Sequence, residues 1–263
     1  MTTLAHSTTD SITMFGRNVT RAIRSGLIAY TIGMPLVILL LFVYVFGATL
    51  GAGITPGGGQ QEYLAFVLPG ILVFTIAGLM QLISIAVSQD MTEGIIARFR
   101  SMSISRGAVH AGHMWAGVAQ GAIALVLTTA LAVLMGFRPN ADPLDWLLIG
   151  LLLLGILIAL LWISVAIGTV AKTVESASNL PMPFLLLPFL SAGFVPAESM
   201  PTWLQWFTNY QPFTPWIESL RGLLLGTPVT TLNAVLSVAW IVVLGLVGYV
   251  WSRYLYARKS VRG

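Results

Sequence analysis

The sequence predicts an all-α membrane protein. Six transmembrane helices are expected, with an N-terminal amphipathic interfacial helix and an external re-entrant helical hairpin before the last span. Three observations carry this. Only 8% of the 263 residues are charged while 57% are apolar. Six long stretches contain no Asp, Glu, Lys or Arg. The basic residues between those stretches fall almost entirely on alternate connections.

A soluble domain carries about 25% charged residues. Thirteen basic and nine acidic side chains cannot coat a globule of 263 residues, whereas a bilayer requires an apolar exterior. The formal net charge of +4 would suggest nucleic acid in a soluble chain. Here the placement of the charges matters more than their sum, and no nucleic-acid partner is expected. With no cysteine, disulfides and thiolate metal sites are excluded. The first apolar run, from Leu27 to Leu50, is too long for a signal-peptide core of about 7–15 residues, so it reads as a retained anchor.

The six spans are Leu27–Leu50, Tyr63–Ser88, Ala111–Phe137, Trp146–Ala171, Ser176–Ala197 and Leu232–Trp251. Each has at least the ~20 residues that cross a ~30 Å hydrocarbon core. Pro181, Pro183 and Pro188 interrupt the fifth, which reads as a kinked span covered by its neighbours. Arg17, Arg21, Arg24, Arg98, Arg100, Arg106, Lys172, Arg253, Arg258, Lys259 and Arg262 lie on one side, and only Arg138 and Arg221 on the other. The positive-inside rule places both termini in the cytoplasm of a multi-pass plasma (inner) membrane protein. The whole chain, 1–263, reads as one domain. Gly51–Gln61 is expected as a flexible external loop and Phe137–Asp145 as a short external turn. GxxxG spacings occur at Gly47–Gly51, Gly117–Gly121 and Gly222–Gly226, a pattern that permits close helix contact.

Missing chemistry narrows the function. A charge at the bilayer centre costs at least about 2.5–3.5 kcal/mol and is kept there for proton relays, ion sites or voltage sensing; the spans have none. A nucleotide site of the form GxxxxGK[ST] is absent, since Lys172 and Lys259 lie in GTVAKT and YARKS. No GxSxG element is present, and no catalytic residue is assigned. His110 and His113, one helical turn apart, read as interfacial histidines rather than metal ligands. If the chain takes part in active transport, a second polypeptide does the work.

Three segments carry positive signals. In Ser11–Arg24, Ile12, Phe15, Val19 and Ile23 share one helical face and Arg17, Arg21 and Arg24 the other. Such a helix lies in the headgroup plane with its arginines toward lipid phosphates or a partner protein. The segment Gln89–His110 combines mixed charge with Ile95, Ile96 and Phe99, which suits a short helix docked on a protein surface. Pro196–Thr231 is too long for a turn and too apolar for a solvated loop. Trp203, Trp206 and Trp216 favour the membrane interface. Pro201 and Pro215 suit the first turns of short helices at Thr202–Asn209 and Trp216–Leu225, with Gln211-Pro212 breaking the chain between them. Glu218 and Arg221 are spaced to pair on one face. This hairpin, with Trp203, Pro212, Pro215, Glu218 and Arg221, is expected to gate the external end.

The chain resembles the permeases of type-2 ABC exporters, especially the daunorubicin/doxorubicin-resistance branch. The likeness covers nearly the whole chain. It rests on the helix before the first span, the E-G-x-x-x-R-F/L-R-S-M loop, and the block F-V-P-x-x-x-M-P-x-W-L-Q…Q-P-x-T-P-x-I-E-x-L-R-G-L-L-x-G at Phe194–Gly226. Ser103 stands where relatives often carry proline. The resemblance implies two paired permeases, this chain with a second copy or a sister, and two docked ABC ATPase subunits that hold ATP and Mg. This chain itself holds no cofactor. The resemblance implies that the loop Glu93, Gly94, Arg98, Phe99, Arg100 and Arg106 couples to the ATPase. A substrate path would run along the second and fifth spans, where Gln81, Ser84, Asn179 and Ser191 are the available polar residues. The implied function is export of a hydrophobic or amphipathic compound, such as an antibiotic, drug or lipid. Export of a cell-envelope glycan, or membrane assembly without transport, are the alternatives.

Overall fold

The structure is a computed structural model that describes residues 4–54, 58–92 and 108–261, with side chains described over 13–54, 58–92 and 111–255. The expected coupling loop, Glu93 to Arg106, lies outside the described residues. Within them the chain is helical throughout: α1 (Leu4–Arg24), α2 (Leu27–Leu41), a π-helical turn (Phe42–Phe46), α3 (Gly47–Ile54), α4 (Gln60–Thr92), α5 (Ala108–Leu134), α6 (Pro143–Val170), α7 (Val174–Asn179), α8 (Met182–Leu186), α9 (Thr202–Tyr210), α10 (Phe213–Leu225) and α11 (Thr231–Val261). Five helical stretches are long and apolar enough to cross a bilayer: Leu27–Ile54, Gln60–Thr92, Ala111–Leu134, Pro143–Val170 and Thr231–Leu255.

Local chemistry sets several boundaries. Gly26 adopts a left-handed φ of 74° between α1 and α2, a conformation glycine reaches without a Cβ penalty. The start of α6 is a capping box. The Asp142 carboxylate accepts from the Asp145 N–H at 2.8 Å, the Asp145 carboxylate accepts from the Asp142 N–H at 3.1 Å, and Pro143 occupies the first turn. Gly226, at φ 65°, ends α10.

Helix α4 is the centre of the bundle, with most of its 33 residues buried from Tyr63 to Asp90. It packs on α6, whose Gly168 would place a Cβ 2.5 Å from the Ser84 carbonyl oxygen. Gly117 and Gly121 of α5 lie against Leu157, Leu161, Leu79 and Ile83, so that GxxxG spacing does mark a helix contact. Helix α11 runs parallel to α6, with Gly155 against Ile241 and Gly248 against Trp162.

Three expectations change. Of the expected loop Gly51–Gln61, both ends are helical: the first span continues through the π turn to Ile54, and α4 begins at Gln60. Gly51 lies so close to Gly59 that a Cβ would meet its backbone, so glycine here serves close packing. The predicted fifth span, Ser176–Ala197, is not one helix. It breaks into α7, α8 and a 3-10 turn, Leu187–Leu190, because prolines lack the N–H that continues an α-helix. The third correction concerns α1. It buries Met14, Asn18 and Ala22 against α5, where Gly112 admits Met14. Phe15 and Val19 are only half-buried and Ile23 stays 61% exposed.

The broken segment follows α4 from end to end. Ser88 Oγ reaches the Thr173 carbonyl at 3.5 Å, Gln81 Nε2 donates to the Ser178 carbonyl at 2.9 Å, Gly193 abuts Gly70, and Tyr63 Oη donates to the Phe194 carbonyl at 3.2 Å. Residues 63 to 88 of a helix span roughly 37 Å. A cluster of Phe42, Phe74, Phe189 and Phe194, with ring centroids 4.7–6.5 Å apart, joins the π turn, α4 and the broken segment.

Candidate functional site

Polar chemistry collects at the two ends of α4. At its C-terminal end Asp90 is 1% exposed and accepts from three side chains. Arg17 binds it with two nitrogens, at 2.9 and 3.0 Å, and Arg21 Nη1 lies 2.7 Å from Oδ1. His113 Nε2 is 3.0 Å from Oδ2. Arg21 also donates to Gln89 Oε1 at 2.7 Å. The arginines sit at i, i+4 on α1, beside the face that packs on α5, so the helix period aims both at one point. This bidentate, charge-assisted geometry is the strong form of the interaction. It ties α1, α4 and α5 together two residues before α4 ends at Thr92. Arg17 and Arg21 therefore face an internal carboxylate, a correction to the expectation that they meet lipid phosphates; Arg24 is exposed. Asn18 Oδ1 is buried beside this cluster with no hydrogen-bond partner among the described residues.

At the other end, Arg221 of α10 is 12% exposed. Its Nε and Nη2 donate to the Phe66 carbonyl at 3.3 and 3.0 Å, Nη2 donates to the Ala192 carbonyl at 2.7 Å, and Nη1 binds Glu218. The guanidinium lies 3.9 Å from the centre of the Phe66 ring. Pro69 lacks the N–H that would bond the Ala65 carbonyl, so Arg221 supplies donors one residue along from this gap. It ties α4, the broken segment and α10 together as Asp90 does at the far end. Beside it opens a cleft of about 500 Å³ whose polar lining includes Glu198, Asn209, Glu218 and Arg221.

This architecture has relatives. Residues 10–225 match the ABC-2 type transporter family. The chain belongs to that family. It is 32% identical over 195 residues to the daunorubicin resistance ABC transporter permease of Streptomyces coeruleorubidus, covering 74% of this chain and 67% of that one. It is 27% identical over 150 residues to a Mycobacterium tuberculosis protein named probable doxorubicin resistance ABC transporter permease, covering 56% and 53%. The likeness to type-2 ABC permeases of the daunorubicin/doxorubicin-resistance branch thus stands on alignment as well as motif. The chain is a multi-pass membrane protein of an ABC permease family.

For an ABC-2 chain, the residues expected at the external gate form a two-helix unit, α9 and α10, joined at Gln211-Pro212. Pro212 precedes α10 and Pro215 lies buried in its first turn, so α10 starts three residues earlier than the sequence suggests. Trp203 points away, 77% exposed. Of the four polar residues expected on a pathway, Gln81 lines a small cleft of about 60 Å³ between α2, α4 and α8. Asn179 is exposed at the end of α7. Ser84 is fully buried, its Oγ without a hydrogen-bond partner among the described residues. Ser191 bonds within its own turn, to the Pro188 carbonyl. His113 is a buried partner of Asp90 rather than an interfacial residue; His110 lies outside the described side chains. Sequence reasoning missed Asp90. The available signal was a lone acidic residue at a span end, facing a helix with arginines at i, i+4.

Proposed function

We propose that this chain is the membrane-spanning permease subunit of an ATP-driven exporter for a hydrophobic or amphipathic compound. Two copies of a separate ABC ATPase supply the work, holding ATP and Mg, and a second copy of this permease or a sister completes the pathway. The observation that carries the reading is the Asp90 cluster within an ABC-2 chain. It makes α1 and the end of α4 one rigid unit, placed where a push on residues 93–107 would be felt first.

In this reading the chain crosses the membrane six times, both termini are cytoplasmic, and the broken segment is the fifth crossing. Irregular backbone at membrane depth is tolerated where it is covered by protein or lines a cavity, and this segment lies along the central helix. The Glu93–Arg106 loop receives the ATPase, and α1 in the headgroup layer moves with it. The pathway runs along the α2, α4 and α8 face past Gln81. At about 60 Å³ that cleft is far below the ~300–1,000 Å³ of a site for a drug-sized molecule, which describes a closed state that must widen to conduct. The α9–α10 hairpin dips into the outer leaflet and caps the exit, with Arg221 as its anchor. The relatives' names as drug-resistance permeases favour this cargo over a glycan. Reconstituting the chain with its ATPase should give ATP-dependent movement of a fluorescent amphipathic dye out of the compartment that holds the ATPase. Equal movement without the chain, or without ATP, overturns the proposal.

A further inference from the structure

A second cavity lies away from both polar clusters. It is a groove of about 640 Å³ between α5 and α6. Val126, Thr129, Ala130, Val133 and Leu134 form one wall, and Trp146, Ile149, Gly150 and Leu153 the other. The floor is Leu72 of α4, Leu125 of α5 and Leu224 of α10, all buried. The lone hydroxyl, on Thr129, donates to the Leu125 carbonyl of its own helix at 2.9 Å. The one other side-chain donor in the lining is the Trp146 indole N–H, at the groove's outer end. The gap follows from small side chains: Gly150 has no atom within 4 Å of where a Cβ would stand, and Ala130 is exposed.

The groove's dimensions name its occupant. From Val126 to Leu134 a helix rises about 12 Å, and from Trp146 to Leu153 about 10 Å. One leaflet of a ~30 Å hydrocarbon core is roughly 15 Å deep. The groove therefore starts at the α5–α6 turn, where Trp146 marks the interface, and ends near mid-membrane. Its mouth is continuous with the lipid-facing surface, since Val126, Leu134 and Leu147 are 58–84% exposed.

We infer that this groove is a binding site for one acyl chain of a phospholipid in the leaflet on the Arg138 side. The bound chain packs on Leu224 and so supports α10, the helix that carries Arg221, which makes lipid occupancy a determinant of hairpin position. The inference rests on the chain's being membrane-spanning and not on the exporter reading.

The test uses the full chain in phosphatidylcholine and phosphatidylglycerol vesicles doped with a phosphatidylcholine whose acyl chain carries a photoactivatable diazirine. Adducts should concentrate on residues 126–134 and 146–153, several-fold above those on the equally exposed Val235, Val238 and Val242 of α11. Gly150→Phe and Ala130→Phe, both pointing into open space, should cut groove labelling to the α11 level. Gly33→Phe, whose site is also open but lies on α2, should leave it unchanged. Equal labelling of groove and α11, or labelling indifferent to Gly150→Phe, overturns the site and leaves ordinary surrounding lipid. Displacement of the lipid adduct by an amphipathic dye would assign the groove to cargo and overturn it as well.

Discussion

Two residues organise the bundle's ends, and neither could be replaced by a residue of similar charge or size alone. Asp90 accepts from Arg17, Arg21 and His113 at once, so Asp90→Asn keeps the volume but loses the charge that two guanidinium groups share. Hydrogen bonds to a charged group contribute about 1.5–3 kcal/mol each, moderated here because the arginines are about 30% exposed. Asp90→Asn should therefore lower the midpoint of thermal unfolding in mild detergent, and should reduce ATP-driven export several-fold at matched protein levels. Unchanged export would remove α1 from the coupling. At the other end, Arg221 needs its planar fork to reach Phe66, Ala192 and Glu218 together. Arg221→Lys should destabilise more than Glu218→Gln, which leaves both carbonyl contacts in place. Comparing their unfolding midpoints tests the order. The Glu218 to Arg221 pairing is legible from i, i+3 spacing. The Phe66 and Ala192 carbonyls are not, because they lie 155 and 29 residues away in sequence and backbone acceptors leave no residue-type signature.

At the scale of elements, what hydropathy reads well is length and what it reads poorly is continuity. Five spans appear within a few residues of expectation because charged and capping residues bound them, as Asp142 and Pro143 bound α6. The fifth apolar run is as free of charged residues as the others, but three prolines decide its shape, and a composition window averages over them. The π turn at Phe42–Phe46 leaves no such trace, since FVYVF would suit a plain helix. A broken segment holds its place beside α4 through close backbone contact: a Cβ on Gly70 would sit 2.7 Å from the Gly193 carbonyl oxygen. Overpacking of this kind costs typically about 1–3 kcal/mol. Gly70→Ala should thus lower thermal stability, whereas Gly33→Ala, with open space at its Cβ, should raise or keep it through better helix propensity. Equal effects from the two would show that the Gly70–Gly193 contact is dispensable.

At the scale of the molecule, the proposed six crossings of the bilayer rest on charge and geometry together. With five crossings the basic residues after α11 would lie opposite Arg17 and Arg21, and the skew of Lys and Arg would lose its pattern. With six it holds, with Arg138 and Arg221 the two basic residues on the outer side. The contacts point the same way. The segment starts beside Ser88 and ends beside Tyr63 and Gly70, which are separated along α4 by roughly 37 Å, more than the hydrocarbon thickness. A re-entrant loop would instead return to the side it left. The absence of cysteine makes the experiment clean. Lys172→Cys, just after α6, and Glu198→Cys, just after the broken segment, are both at exposed positions. An impermeant maleimide applied to intact cells should label the second and not the first. Ser260→Cys should behave like Lys172→Cys, and Gly58→Cys like Glu198→Cys. If positions 172 and 198 label from the same side, the segment does not cross, and the cytoplasmic placement of the C-terminus falls with it.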